Sequence, residues 1–153
     1  MCIRDSGNGI AFADNGVTIG STNSAYNEVI NESGGTYVGR FWKAGGAPTA
    51  DNSAGVGATP TAGSVKINGA NLGSALAGSI AATRISANTT SGFSIVAYTG
   101  NYAVGATVAH GLSVAPELIL VKNLDATDDW RVGSSKGIDF TDYLVLNLSL
   151  IHI

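Results

Sequence analysis

An all-β fold, built from pieces of antiparallel β-sandwich, is the class this sequence predicts, on three observations. Only 12% of the 153 residues are charged, against roughly 25% in an average soluble domain. Glycine, with 21 residues, is about twice as frequent as usual, and Ser, Thr and Asn crowd the breaks between apolar runs. Those runs mostly alternate with the period of two that belongs to strands. Hydrophobic residues make up 44% of the chain, which suffices for a core and is unlike a composition that stays disordered.

The two ends are read first, because they resemble each other in an unexpected way. MCIRDS back-translates as ATG TGT ATA AGA GAC AG plus one further base. Its reverse complement begins CTG TCT CTT ATA CAC AT and reads as LSLIHI, the last six residues. Both ends thus resemble a transposon-end sequencing adaptor read on opposite strands. The expectation is adaptor at residues 1–6 and 148–153, with the protein proper at 7–147 and cut on both sides. Cys2 and His152 then drop out, leaving no thiol chemistry and His110 as the single histidine.

The first block, residues 7–43, reads as the closing end of one β module. In IAFADNGVTIG the apolar residues Ile10, Phe12, Val17 and Ile19 flank Asn15-Gly16, the strongest short hairpin signal. After Ser33-Gly34-Gly35, alternation over 37–42 sets Tyr37 and Phe41 on one face and Val38 and Trp42 on the other. A strand covered on both faces is expected there.

The middle block, residues 44–91, reads as a Gly/Ala/Ser/Thr-rich linker with short strands. GGAPTADNSAGVGATPTAG has two prolines and no periodicity. Leu72, Leu76 and Ile80 are spaced for a helical stripe, yet Gly73 and Gly78 fall inside it and weaken a helix by about 1 kcal/mol each. Val65-Lys66-Ile67, ahead of Asn68-Gly69, and residues 83–86 read better as strands.

The last block, residues 92–147, reads as the opening of a second β module. FSIVAYTG puts Phe93, Ile95 and Ala97 on one face, and Val96 and Tyr98 on the other. A short strand is expected up to His110, a turn at Gly111, and a strand at 118–121 introduced by Pro116, where proline removes no ladder bond. DATDD is a polar turn before Trp130-Arg131-Val132, and YLVLN is the last strand.

The balance of 8 Lys+Arg against 11 Asp+Glu gives a net charge of -3. With no basic stripe, a nucleic-acid partner is not expected, and no stretch is long and apolar enough to span a membrane as a helix. His110 lacks a nucleophile or second histidine at catalytic spacing, so it is read as capping a turn. Asp125, Asp128 and Asp129 lack the glycine and terminal glutamate of a calcium loop and are read as a solvated turn. Asp14 with Asn15, and Asp139 with Asp142, are weaker still. Ala54-Gly55-Val56-Gly57 is not followed by the Lys-Ser/Thr of a phosphate loop. No metal, cofactor or catalytic residue is expected. Among the aromatics, Tyr37, Trp42 and Tyr98 are assigned to the core, while Tyr102 and Trp130, beside turns, are the candidates for stacking on a ligand.

GFSIVAYTGN, then TVAHGLSVAPELILVKN, a DATDDW turn and a YLVLN strand resemble the opening of a β-sandwich module repeated in tail-fibre-like virion proteins of marine tailed phages. GGTYVGRFWKAGG resembles the closing strand of that module, and SANTTSGFSIV the spacer between two copies. The resemblance covers most of residues 7–147 and is most specific over 92–130. Beyond the turn that family runs to a Tyr-His-type pair, where this chain has Arg131-Val132-Gly133-Ser134. The resemblance implies a non-enzymatic virion structural part, tail-fibre or adhesin, outside the cell. Its implied partners are other virion proteins, itself as a trimer, and a host-surface glycan or protein. The sandwich pieces would be jelly-roll or lectin-like. The alternative is a secreted or cell-surface carbohydrate-binding module of a bacterium. A polysaccharide depolymerase would need a pair of carboxylates across a groove, and no convincing pair is present.

Overall fold

The computed structural model describes residues 10–13, 16–19, 34–136 and 144–146. The chain divides into two compact units, Met1–Phe41 and Trp42–Ile153.

In the first unit, β1 (Ile10–Ala13) and β2 (Gly16–Ile19) form the expected antiparallel hairpin. Ala13 pairs with Gly16, so the glycine joins the ladder and two residues, not the Asn-Gly pair, separate the strands. Alternation over residues 37–42 predicted a covered strand, and this expectation is overturned. No strand forms there, and Tyr37, Val38 and Phe41 are exposed. The glycines two residues earlier explain the difference. The Tyr37 ring occupies the space a side chain at Gly35 would fill, and the Phe41 ring does the same at Gly39. Each aromatic therefore covers its own backbone instead of a neighbouring strand.

The second unit carries two sheets. β3 (Val65–Ile67), β4 (Ala70–Asn71), β5 (Arg84–Asn88) and β6 (Phe93–Ala97) lie in the order β4-β3-β5-β6. β7 (Leu118–Val121), β8 (Arg131–Ser134) and β9 (Leu144–Val145) form a three-stranded antiparallel sheet. The fold is all-β, with no helix among the described residues and sheets of four and three strands, mostly antiparallel. This is consistent with the predicted sandwich class. One pair, β3 with β5, is parallel, because the chain crosses from one to the other through β4 and residues 72–83.

Local chemistry sets these strands. Asn68 and Gly69 both have positive φ, at 51° and 90°, the conformation of a two-residue type I′ turn joining β3 to β4. Asn68 also exchanges two hydrogen bonds with Thr89, giving from Nδ2 at 2.8 Å and accepting at Oδ1 at 2.9 Å. The β5–β6 hairpin turns on Asn88, whose Oδ1 accepts the N–H groups of Thr90 at 3.0 Å and Ser91 at 2.9 Å. Such an Asx turn replaces backbone bonds that the loop would otherwise lack. The helical reading of Leu72, Leu76 and Ile80 is not realised. Leu76 points into the core, and Gly78 and Ile80 bridge Val108.

The sheet of β4-β3-β5-β6 has two unlike faces. Val65 opposes Ile85 and Ile67 opposes Ala87, all on the inner face, where Leu76 and Ala82 complete the buried cluster. Val96, Val108 and Leu112 pack against its margin. The outer face carries Lys66, Arg84, Ser86, Ile95 and Ala97 by the same register. Residues 43–52, all but Lys43 read from composition as linker, cross this outer face as an irregular but tethered strap. The Gly46 carbonyl accepts from Ser86 Oγ at 2.6 Å, Gly45 O from Gly69 N at 2.7 Å, and Lys43 O from Ser91 Oγ at 2.8 Å. Asn52 closes the strap, with its N–H on Thr83 O at 2.9 Å and its Nδ2 on Ala82 O at 3.0 Å. The bonds to Ser86 and from Asn52 Nδ2 are partly buried, where an unpaired polar group would be costly.

Candidate functional site

An open groove of roughly 590 Å³ lies between the strap and the outer face of β5 and β6. Its floor is Ser86, Ile95 and Ala97, its walls are Trp42 and Pro48, and Arg84 stands at one side. Strand alternation places the floor. Arg84 opposes Ala97 and Ser86 opposes Ile95 across the β5–β6 pair, so all four side chains leave the same face of the sheet.

Trp42 is 66% exposed, which corrects its assignment to the core. Its ring stacks on Phe93, with centroids 5.7 Å apart and planes at 18°. Phe93 is the first residue of β6, so the sheet fixes the direction in which the indole presents itself. An exposed aromatic held this way is a flat, pre-set apolar platform, and ordering it on binding costs little further entropy. Tyr37 and Tyr98 are also more exposed than a core assignment allows.

Arg84 is paired through Nε with Asp51 Oδ1 on the strap. Both side chains are about half exposed, so the pair adds little stability, on the order of 0–1 kcal/mol. Its effect is positional, because it fixes the guanidinium beside the groove. Lys43, next to Trp42, contributes a second cation to the lining.

The residues singled out by sequence lie elsewhere in the second unit. Tyr102 is fully exposed, with φ of 57°, on the loop after β6. There Ala103 N–H bonds Asn101 Oδ1 at 3.0 Å. Trp130 is 40% exposed and stands immediately before β8, its carbonyl accepting from Leu146 N–H at 3.2 Å. The two aromatics belong to loops of different sheets. His110 acts as the sequence reading assigned it. Its Nδ1 accepts the Leu112 N–H at 3.1 Å across the turn at Gly111, and its carbonyl accepts from Ser94 Oγ. In the acidic turn, Asn123 Nδ2 donates to Asp128 Oδ2 at 2.8 Å and Lys122 Nζ donates to backbone carbonyls. Among the described residues no group of three or more His, Cys, Asp or Glu side chains could hold a metal, and no helix is long and apolar enough to cross a membrane. Asp14, Asn15, Asp139 and Asp142 lie outside the described residues.

The groove was invisible to sequence patterning because its parts come from three places, 42–48, 84–86 and 95–97. The usable signal was Trp42-Lys43 next to Gly45-Gly46, an aromatic and a cation beside a backbone able to lie flat on a sheet. Residues 57–151 match a family described as a domain of unknown function (DUF7483), a span that includes every strand of the second unit. No curated protein and no solved structure matches the chain.

Proposed function

The chain belongs to the DUF7483 family, and we propose that it is a non-enzymatic structural module of a tailed-phage virion, of the tail-fibre or adhesin kind, that contacts saccharide on a host surface. The observation that carries the contact is the Trp42 platform beside an open groove on the outer face of β5 and β6. A sugar ring has an apolar face edged by hydroxyls, and an aromatic plane flanked by fixed polar groups complements both. The virion assignment draws its support from the resemblance of GFSIVAYTGN and TVAHGLSVAPELILVKN to the repeated fibre module. Shallow single sites suit such a protein, since repetition along a fibre multiplies weak contacts into avidity. The same groove serves a bacterial cell-surface carbohydrate-binding module, and gene context separates the two. Tail and capsid genes on either side of the gene are the expected result, and a cell-wall sorting signal would favour the second reading.

A glycan array with the purified chain tests the contact itself. Saccharide binding that Trp42→Ala reduces at least tenfold, with the far-ultraviolet spectrum unchanged, is expected. Loss through Trp130→Ala instead would move the contact to the three-stranded sheet, and a blank array would sink it.

A further inference from the structure

We infer that the groove selects an acidic saccharide, a sugar ring bearing a carboxylate, stacked on Trp42 with its carboxylate held by Arg84 and Lys43. This inference rests on the saccharide-contact reading above and adds the ligand's charge.

Three observations carry it. The first is the state of Arg84. Asp51 engages only Nε, and the terminal nitrogens have no acceptor among the described residues. The guanidinium is thus anchored by one edge while its remaining donors stay available beside the groove. A planar fork fixed in this way matches the two oxygens of a carboxylate, and binding one costs little side-chain ordering.

The second is the local sign of charge. The chain as a whole carries -3, yet the groove is lined by Lys43 and Arg84 and by no carboxylate. Lys66 shares this outer face, since it opposes Ser86 in the β3–β5 register. Asp51 neutralises only one of these cations. A positive groove on an acidic chain favours an anion there over a neutral ligand.

The third is the division of the groove into apolar and charged parts. Trp42, Pro48, Ile95 and Ala97 offer apolar surface to a ring, and the cations stand beside them. Inorganic anions would leave the indole unused. A neutral sugar would offer the guanidinium only uncharged hydroxyl oxygens, which make weaker hydrogen bonds than a carboxylate. Single-stranded nucleic acid would need successive aromatics along a basic track, whereas the groove supplies one indole and two cations.

Calorimetry with matched oligosaccharides tests the inference. Glucuronate- and sialate-containing oligosaccharides are compared with the same compounds after reduction of the carboxylate to an alcohol. The acidic forms are expected to bind at least tenfold tighter, with a preference that shrinks as sodium chloride is raised from 20 to 500 mM. Arg84→Gln should abolish the preference, so that the acidic and neutral forms bind with affinities within about twofold of each other. Lys43→Gln, on the strap outside the strands, should reduce it severalfold and serves if the Arg84 variant fails to fold. Equal affinity for acidic and neutral forms overturns the acidic selection and leaves the saccharide contact standing. Absence of binding to every saccharide overturns both. Tighter binding to oligonucleotides than to any acidic sugar overturns the ligand class.

Discussion

Gly45 shows how much a single hydrogen can decide in this molecule. A side chain there would start 2.0 Å from the carbonyl oxygen of Ala87 and 2.7 Å from its nitrogen. These are backbone atoms of a central strand and cannot step aside. Gly45→Ala is therefore expected to lift the strap from the sheet and lower stability by about 1–3 kcal/mol, read as a shift of the urea midpoint. An unchanged midpoint would mean the strap is not seated on β5. Because the strap carries Trp42 and Lys43, the same variant should also weaken saccharide binding. Ile85 is the converse case. It is the largest fully buried side chain of the chain's described core, at 0% exposure, in one cluster with Val65, Leu76, Ala82 and Ala87. Ile85→Ala should cost about 2–5 kcal/mol, a large share of a total of roughly 5–15 kcal/mol, and should lower the melting temperature read by circular dichroism by about 8 °C or more. A melting temperature within 5 °C of the parent would contradict this.

Among the elements, β7 stands out. Its four residues, Leu118 to Val121, are all exposed, between 38% and 57%, although LILV is the most apolar strand of the sequence. Among the described residues it pairs only with β8. Ser135 N–H donates to Glu117 O at 3.0 Å, so residues 117, 119 and 121 face β8 and the amides of Leu118, Leu120 and Lys122 face the open edge. Pro116 falls in phase with that edge, where its missing N–H removes no bond. An open apolar edge is a template for further strand pairing. Ile119→Lys, opposite Gly133 in the ladder, should suppress concentration-dependent light scattering while changing monomer stability by less than about 1 kcal/mol. Scattering that persists unchanged would place the sticky surface elsewhere. Strands were legible in the sequence where alternation met a turn pair, as at Val65-Lys66-Ile67 with Asn68-Gly69, where alternation ran through FSIVA, and where Pro116 introduced the apolar run LILV. The run at 37–42 failed because alternation reports a face and not whether a partner strand exists to cover it. The strap was missed for the opposite reason. Residues 43–52 have no periodicity, yet carbonyls tied one by one to Ser86, Gly69 and Ser91 hold them as firmly as a ladder would. Composition registers neither kind of long-range partner, so the groove they enclose could not be read before the fold.

For the molecule as a whole, the feature that matters most is the distance along the chain over which the strap finds its moorings. Gly46 is tied to Ser86, 40 positions later, Lys43 to Ser91, 48 positions later, and Asp51 to Arg84, 33 positions later. Contacts of such separation form late, after the entropy of closing the intervening loop has been met. A nascent chain therefore shows its indole to the cytosol well before Phe93 arrives to steady it. The proposed sugar contact would be complete only once β6 has left the ribosome and docked. If the proposed contact holds, capture on an acidic-sugar resin would sort finished molecules from immature ones.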